Sequence, residues 1–335
     1  MKIETDQNIV AILSVLKGAQ KPLGGATISE KIQCFGIHLS PRTVRYYLAL
    51  TDKAGFTKNY GNRLGRMITP KGKKEVDDAF VIKKIGLVSS RIDALSYKMQ
   101  FSLSDLSGDI VLNVTTISPE DLKKAKGCMR IVFQKGLGMG QLLIFGKQDS
   151  CLGNFSIPSG KIAIGTVCSI TINGLFLNAG IPVFSRFGGL LEMRRGRPVG
   201  FTEIIKYGCS TVDPLEIFIN SHMTNVTEAA NSGNGIICAS FREIPDIAIP
   251  EAIRIKNRLM EIGLDGILLI GNPRQSLFDI PVPQGRAPMI LIGGLNPIAA
   301  CVENGIKTQN FAMKTLCEFK KLVPYNQCEK GSEGL

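Results

Sequence analysis

Residues 27–72 read TISEKIQCFGIHLSPRTVRYYLALTDKAGFTKNYGNRLGRMITPKG, and this stretch decides the fold of the first part of the chain. Its first four residues have the Ser/Thr-x-x-Glu pattern of a helix start, so a short helix is expected to begin at Thr27. Ser40 then supplies a capping oxygen directly before Pro41, whose fixed φ suits the first helical position. A further helix is therefore predicted over residues 41–54.

The elements on either side complete a recognisable order. Apolar residues at helical spacing predict a helix over residues 6–18. Residues 56–60 and 66–69 read as two strands joined by a glycine-containing turn, and a last helix is expected over 70–84. Three helices, a hairpin and a helix make a winged helix-turn-helix domain, which we assign to residues 1–84.

The helix predicted over residues 41–54 has two different faces. Val44, Tyr47 and Leu48 form an inward stripe, which leaves arginines on the other side, where a helix in the major groove would present them to base edges and phosphates. The helix and the hairpin together give the candidate DNA-binding residues Ser40, Arg42, Thr43, Arg45, Tyr46, Lys53, Lys58, Asn62, Arg63 and Arg66.

Charge is concentrated in the same part of the chain. Residues 1–84 hold 15 Lys and Arg against 7 Asp and Glu, which is most of the net charge of +12. A basic stripe favours nucleic acid as partner. Protein contact and a merely solvated basic face stay open, as does RNA, because the module also resembles the winged helix ahead of the nuclease domains of ribonuclease R.

The composition of the whole chain limits which classes of protein remain possible. With 335 residues, 44% hydrophobic and 20% charged, there is room for further globular domains. Nine scattered cysteines without a CxxC pair favour reduced thiols in a cytoplasmic protein. Residues 1–17 lack the features of a signal peptide. The uncharged stretch 162–184 contains too many polar residues and a Gly-Ile-Pro turn, so no membrane span is expected.

Residues 108–335 contain one arrangement twice. A strand followed by a proline-started helix occurs at Pro119 and again at Pro250, and the strand 142–146 recurs at 267–271. Ile164-Gly165 matches Ile292-Gly293 in the same way. The fold class is therefore α+β: a winged helix, a connecting segment 85–107, and an α/β domain 108–335 built from two β-α-β-β-α-β halves, about 108–232 and 233–335, with a cleft between them.

A cluster of arginines distinguishes the first of these halves. Guanidinium groups match carboxylates, so a site for a small dicarboxylate is expected, with Arg186 and Arg194 as first candidates and Arg242 as a third. The competing interpretation is structural ion pairing of these arginines with Glu192, Glu203, Asp213 or Glu243. The candidate effector-binding residues are Ser185, Arg186, Gly188, Arg194, Asp213 and Arg242.

No arrangement of residues predicts catalysis. The chain has two histidines, His38 and His222, and neither has a nucleophile or metal ligand nearby in sequence. Residues 153–161 fail as a phosphate loop because Ile162 stands where Ser or Thr is required. We therefore expect no enzymatic activity, no bound metal and no cofactor.

Several segments carry a resemblance to a known family. The chain resembles the NrpR family of transcriptional repressors, which regulate nitrogen assimilation genes chiefly in methanogenic archaea. Beside the winged helix, the resemblance lies in Ile172-Asn173-Gly174, Ala179 to Val183 with Ser185 to Gly189, Asp213 to Phe218, and Phe241 to Pro245. Some members carry two regulatory domains in tandem, whereas this chain carries one.

The resemblance implies a homodimeric repressor that binds double-stranded DNA at an inverted-repeat operator and is released by 2-oxoglutarate. A co-repressor subunit is a further candidate partner. Three alternatives stay open: a winged-helix regulator that responds to another small anionic metabolite, an RNA-binding or scaffold protein, and an enzyme with an appended DNA-binding module.

Overall fold

The computed structural model describes residues 7–61, 64–83, 87–273 and 275–327. Contacts within the chain divide it into two units, Met1–Ile85 and Gly86–Leu335. Each unit has a hydrophobic core of its own.

The first unit is a winged helix. Its described elements are the helices α1 (Gln7–Lys17), α2 (Gly25–Lys31), α3 (Pro41–Lys53) and α4 (Pro70–Lys83), with the strands β1 (Thr57–Asn59) and β2 (Arg66–Ile68). A 3-10 turn, Ile32–Phe35, continues α2. The predicted order of three helices, hairpin and helix is confirmed.

The core of this unit is formed by one apolar stripe from each of the first three helices. Ile12 and Leu16 of α1, Ile28 of α2, and Val44 and Leu48 of α3 are all at most 1% exposed. These residues recur at three- or four-residue spacing within their helices, so the stripe lies on one side and the charged side chains remain on the other.

The start of α2 differs from the sequence prediction. The helix begins at Gly25, with Gly24 as its N-cap and without a side-chain cap, so Thr27 lies inside the first turn instead of before it. A Cβ on Gly25 would stand 2.9 Å from Cγ of Arg45. Gly25 therefore lets α2 approach α3 closely, and this packing sets where the helix begins.

The second unit contains the remaining elements of the described chain. Its helices are α5 (Leu87–Lys98), α6 (Leu122–Gln134), α7 (Ile170–Asn178), α8 (Pro214–Asn220), α9 (Val226–Ser232), α10 (Ile249–Glu261) and α11 (Asn296–Glu303). Its strands are β3 (Asp109–Ile117), β4 (Leu142–Gly146), β5 (Cys151–Leu152), β6 (Phe155–Ser156), β7 (Ile162–Val167), β8 (Phe184–Arg194), β9 (Arg197–Lys206), β10 (Gly235–Pro245), β11 (Ile267–Ile270), β12 (Arg286–Ile292), β13 (Gln309–Glu318) and β14 (Val323–Pro324).

Two larger antiparallel sheets organise the second unit. Within the described residues, one sheet has the strand order β13-β3-β7-β4-β14 and the other has the order β11-β12-β10-β8-β9. The predicted duplication is visible as β3-α6-β4-β7-α7-β8 followed by β10-α10-β11-β12-α11-β13. The last strand of each half leaves its own sheet: β8 pairs with β10, and β13 pairs with β3.

The strand registers show how the halves correspond. Val167 ends β7 opposite Leu112, and Ile292 ends β12 opposite Ala239. Val167 is therefore the counterpart of Ile292, and the sequence match of Ile164 with Ile292 was wrong by three residues. Short apolar strands resemble one another at several offsets, and only the pairing partners fix the true one.

A hydrogen-bonded clasp repeats at matching places in both halves. The Thr171 hydroxyl of α7 bonds to the backbone N–H and C=O of Val111 on β3. The Asn296 amide of α11 likewise accepts from the N–H of Cys238 on β10 and donates to its C=O. Each half thus ties the start of its second helix to its first strand.

Two regions lie outside the repeat. The segment 85–107, treated from sequence as a connection, contains α5, which buries Val88 and Ile92 and contacts α7. The strand β9 and the helices α8 and α9 stand between the halves. The strand β9 forms one edge of the second sheet, whereas α8 packs against β8 and β13, and α9 packs against β10, α6 and α11.

Candidate DNA-binding face and regulatory cavity

The helix α3 begins where the sequence predicted. The Ser40 hydroxyl accepts a 3.1 Å hydrogen bond from the Thr43 N–H and lies 2.8 Å from the Thr43 hydroxyl. Val44, Leu48 and Thr51 are completely buried along its inner side. Ser40 and Thr43 thus set the start of the helix, and the inner stripe sets its orientation.

The outer side of α3 carries a row of exposed side chains. Arg42, Arg45, Tyr46 and Lys53 are exposed and lie on one side of the helix. Tyr46 is 63% exposed, which is unusual for a large aromatic residue. Within the described residues, neither Arg42 nor Arg45 has a hydrogen bond or an ion pair. Both guanidinium groups are therefore available to an outside partner.

The wing is anchored to α3 through an ion pair. Nε of Arg66 donates to Oδ2 of Asp52 at 2.7 Å, and the Thr57 hydroxyl donates to the other oxygen at 2.5 Å. Both charged side chains are largely covered. Arg66, predicted to contact DNA, therefore also holds the hairpin in place through this ion pair.

The hairpin also pairs with the segment before α2. Leu23 and Arg66 exchange backbone hydrogen bonds of 3.0 Å. Gly65 has φ +96°, and a Cβ there would stand 2.2 Å from the Leu23 carbonyl oxygen, so only glycine fits. Lys58 is exposed, with its ammonium 5.6 Å from the centre of the Tyr60 ring. The predicted contacts Asn62 and Arg63 lie outside the described residues.

The arginines predicted for effector binding do not come together. Arg186 is the extra residue of a β-bulge, where the pairing of β8 with β10 shifts between Phe241 and Arg242. Its Nη1 donates to Glu243 and to the Pro281 carbonyl, each at 2.8 Å. Arg186 therefore neutralises a buried carboxylate on the face of the sheet opposite to Arg242, as the structural interpretation proposed.

Arg194 lies at the far end of the same strand. Its Nε donates to Glu192 at 2.8 Å, and the arginine side chain is 65% exposed. It thus forms a surface ion pair beside the turn between β8 and β9. Arg186 and Arg194, the first candidates for effector binding, therefore lie apart, and each is paired with a glutamate.

Arg242 is completely buried in the middle of the unit. Its guanidinium donates to the Ser169 carbonyl at 3.0 Å and to the Ser169 hydroxyl at 2.8 Å, while its Nε has no partner in the structure. Ser185, opposite Arg242 in the sheet, accepts from the Asn173 amide at 3.1 Å. A buried cation thus meets the loop that precedes α7.

A small cavity lies next to this cation. Its free volume is about 10 Å³, roughly the room of one water molecule. It lies where strands and helix starts of both halves meet. The lining residues are Asn113, Cys168, Ser169, Ile170, Tyr207, Asp213, Leu215, Gly294, Leu295, Ala312 and Met313.

Three of the predicted residues border this cavity or its wall. Asp213 lines it, and its side chain caps α8 by accepting from the Leu215 N–H at 2.9 Å. Arg242 lies behind Ser169. A Cβ on Gly188 would stand 3.1 Å from the Tyr207 hydroxyl and closer still to Leu215, so this glycine leaves room for the wall.

The electrostatics of the cavity favour an anion. The helices α7 and α11 both begin there, with Ser169 and Leu295 as their N-caps, and helix N-termini carry partial positive charge. Burial lowers the pKa of Arg242, and nearby Tyr207 opposes this. Burial also raises the pKa of Asp213 to about 6, against the stabilising effect of the Leu215 N–H.

Residues beyond the sequence prediction complete the site. Arg91 of α5 donates to the Met313 carbonyl at 2.7 Å, and Asn113 accepts from the Met313 N–H at 3.1 Å. Met313 lies in the irregular part of β13, with φ +50°. The polar Asn113 between the apolar residues Leu112 and Val114 of β3 was the signal that the sequence offered, and nothing in it distinguished Ser169 or Tyr207.

The described residues form neither a metal site nor a membrane-spanning helix. No group of three or more His, Cys, Asp and Glu side chains is placed to hold a metal ion. Among the helices in the described ranges, none combines the length and apolar character needed to cross a bilayer.

Both units resemble known proteins. The profile of NrpR regulatory domains NRD1 and 2 matches residues 85–324, and that of the ribonuclease R winged-helix domain matches residues 10–76. The Global nitrogen regulator NrpRI of Methanosarcina mazei is 30% identical over 96% of this chain and 99% of its own length. The Global nitrogen regulators NrpR of Methanococcus maripaludis and Methanocaldococcus jannaschii are 30% and 27% identical, and the chain spans 52% and 55% of their lengths.

A solved structure shares the fold of most of this chain. The crystal structure of a nitrogen repressor-like protein from Methanococcus jannaschii has a TM-score of 0.61 and 26% identity, and covers 71% of this chain and 98% of that one. The relatives are named as regulators, in agreement with the expectation of a protein without enzymatic activity. The regulatory-domain match over most of the chain and the full-length relative show that this chain belongs to the NrpR family.

Proposed function

We propose that this protein represses the transcription of nitrogen assimilation genes, binds an inverted-repeat operator as a homodimer, and leaves it when 2-oxoglutarate binds. The observation that carries the DNA-binding part is the exposed row on α3, where Arg42 and Arg45 have no partner among the described residues. Family membership supports the nitrogen-regulatory part. Such a protein would act in the cytoplasm, beside its DNA.

The dimer follows from the size of the DNA-reading element. One α3 of 13 residues contacts only a few base pairs, so a useful affinity requires two copies at a fixed spacing. A twofold dimer matches the symmetry of an inverted repeat. A separate co-repressor subunit would be needed if the operator-bound dimer alone failed to block transcription.

The effector is proposed to bind in the cavity beside Arg242. A dicarboxylate would gain from the buried guanidinium and from the two helix N-termini, and the Tyr207 and Ser169 hydroxyls could donate to its oxygens. Because the cavity has room for about one water, its walls must move apart to admit the ligand. A ligand that binds only this opened form shifts the population toward it, and linkage then requires DNA to weaken the ligand by the same factor.

Fluorescence anisotropy of a labelled inverted repeat, titrated with the intact protein at fixed salt, tests the proposal. We expect tight binding that 2-oxoglutarate relieves and that glutarate, which lacks only the keto group, relieves less. Relief by another small anion but not by 2-oxoglutarate would keep the repressor and replace its effector. Binding that no anion changes would contradict the cavity as an effector site.

Substitutions on α3 separate DNA reading from ligand binding. Arg42→Ala and Arg45→Ala should each weaken operator binding by about 10- to 100-fold, the usual cost of losing an arginine contact to a base or phosphate. Calorimetry should show unchanged affinity for the effector. Arg194→Ala removes the same charge from the surface of the other unit and serves as the matched control. Equal operator affinity in all three variants would remove the assignment of α3.

RNA is the second candidate ligand of the winged helix, because the matching domain of the same fold belongs to ribonuclease R. A duplex RNA of the same sequence, added as competitor, decides between the two. Competition as strong as that of the DNA operator would contradict a DNA repressor.

A further inference from the structure

Two cysteine thiols meet where the helices α6 and α11 pack against each other. Cys128 lies on α6 and Cys301 on α11, and the sulfur of Cys301 lies 3.7 Å from the carbonyl oxygen of Ala125, one turn before Cys128. Residues three apart share one side of a helix, so the side chains of Cys128 and Cys301 are neighbours, and each thiol shifts the pKa of the other. A disulfide would bring the two sulfur atoms to about 2 Å from each other.

The two thiols differ in their access to solvent. Cys301 is completely buried, whereas Cys128 is half-buried and lines an open surface pocket of about 390 Å³. Lys124, Thr227 and Asn304 are among the other residues of this pocket. A small thiol reagent can therefore reach Cys128 and cannot reach Cys301 directly.

They also differ in reactivity. The neighbouring Cys301 thiol lowers the pKa of the Cys128 thiol to about 7, with help from the nearby Lys124 ammonium, although partial burial opposes both. The Cys128 thiol, together with burial, raises the pKa of Cys301. An accessible thiolate beside a buried thiol is the usual arrangement of an attacking and a resolving cysteine.

We propose that Cys128 and Cys301 form a thiol–disulfide redox site that is oxidised by a low-molecular-weight disulfide. The Cys128 thiolate attacks one sulfur of the reagent, forming a mixed disulfide and releasing one reagent thiolate. Cys301 then loses its proton and attacks the Cys128 sulfur, which releases the second reagent thiolate. The two protein thiols lose two electrons and two protons in total, and the reagent disulfide takes them up as two thiols.

The place of this bond in the fold gives it a consequence for the cavity. Asn296 at the start of α11 donates to the Leu137 carbonyl beyond α6, and Leu295 before it lines the cavity. A bond between Cys128 and Cys301 would fix α11 to α6 and hold one wall of the cavity in place. The effect on effector release rests on the proposed function, whereas the thiol chemistry does not.

Disulfide mapping tests the chemistry in the intact protein, without DNA or effector. After titration with oxidised glutathione, mass spectrometry of a non-reduced digest should show the peptides of Cys128 and Cys301 joined, with the mass of two hydrogens lost. Cys301→Ser should instead accumulate glutathione on Cys128, because the resolving thiol is absent. Cys151→Ser, which removes an exposed thiol next to the Ser156 hydroxyl, is the matched control and should leave the bond intact.

The outcomes against the proposal are equally definite. An unlinked Cys128 after full oxidation of the exposed cysteines, or glutathione on Cys34 and Cys209 but not on Cys128 in Cys301→Ser, would overturn it. If Cys301→Ser does not fold, Cys301→Ala keeps the buried position apolar and gives the same readout. Effector calorimetry of the oxidised protein is a separate measurement, and its failure would touch only the consequence for the cavity.

Discussion

The two halves of the regulatory unit use the same scaffold and fill one equivalent position differently. The registers make Thr115 of β3 the counterpart of Arg242 of β10, since each lies three residues beyond the matched pair Leu112 and Ala239. Thr115 is buried and donates to the Asn310 side chain at 3.0 Å. Arg242 is buried opposite Ser185 and reaches across to Ser169 in the other half.

This difference shows where function departs from symmetry. The clasps of Thr171 and Asn296 are alike in both halves and serve the fold. The neutral pair at Thr115 also needs no outside partner. A buried guanidinium with a free Nε is costly to keep, and its presence in one half only agrees with the proposal that the effector binds on that side of the cavity.

Of the two equivalent positions, Arg242 and Thr115, replacement of Arg242 should cause the larger loss of stability and of effector binding. Arg242→Ala leaves a void and an uncompensated Asp213, so we expect a loss of about 3 to 5 kcal/mol in unfolding free energy and no effector binding. Thr115→Ala loses one neutral hydrogen bond and should cost only about 1 to 2 kcal/mol. Urea unfolding followed by circular dichroism measures both.

Arg242→Met sharpens the same comparison, because it keeps much of the volume without the charge. We expect a folded protein close to the original in stability that binds no effector. If calorimetry showed that Arg242→Met still binds 2-oxoglutarate, Arg242 would serve packing only and its charge would have no role in effector binding.

A smaller loss of stability is expected from replacing Arg186, the extra residue of the β-bulge between β8 and β10. Arg186→Ala leaves the Glu243 carboxylate, 3% exposed, without its cation, which should cost about 2 to 3 kcal/mol of stability. Arg194→Ala breaks an exposed pair and should cost at most about 0.5 kcal/mol. Thermal unfolding compares the two variants, and equal midpoints would show that the buried pair is not an anchor. Because Arg186 lies on the other face, effector affinity should survive in both.

The smallest effect concerns pH and the Asp213 carboxyl. Its pKa is raised to about 6 in the folded protein, so between about pH 4 and 6 the folded state keeps a proton that the unfolded chain has lost. Stability should therefore fall as the pH rises through this window and level off above it. Asp213→Asn keeps the helix cap and removes this contribution, which is up to about 2 kcal/mol for a partly exposed group.

Unfolding midpoints of the wild type and Asp213→Asn, measured from pH 4.5 to 7, provide the comparison. The unfolding midpoint of Asp213→Asn should rise relative to that of the wild type as the pH rises. The raised pKa of Glu216 acts in the same direction, so some slope remains in the variant. Parallel curves for the two proteins would mean that Asp213 does not titrate in this range.

The fold was more accessible from the sequence than the site. Ser40-Pro41 and the spacing of Val44 and Leu48 are local signals, and they predicted α3 almost to the residue. The duplication was visible because each half repeats strand and helix lengths. The exchange of β8 and β13 between the sheets was not visible, since pairing partners far apart in sequence leave no local pattern.

The side chains of the cavity show the same limit. Sequence singled out arginines by residue type, yet Arg186 and Arg194 have acids beside them in space and Arg242 has Ser169. The packing of two distant strands pairs Arg186 with Glu243, whereas Glu192 lies two residues before Arg194 on the same strand. Ser169, Tyr207 and Arg91 lie 38 or more residues from each other along the chain, so their meeting is a property of the tertiary structure alone.

The exchange of the final strands β8 and β13 also determines when the two sheets can be completed during synthesis of the chain. The first sheet needs β13, which ends at Glu318, so β3 exposes an unpaired edge until β13 has left the ribosome. Such contacts between distant segments slow folding and prolong the exposure of apolar strands to aggregation. A chain cut between the halves would take β13 and β14 from the two edges of the first sheet and β8 and β9 from one side of the second, so neither half is an independent folding unit.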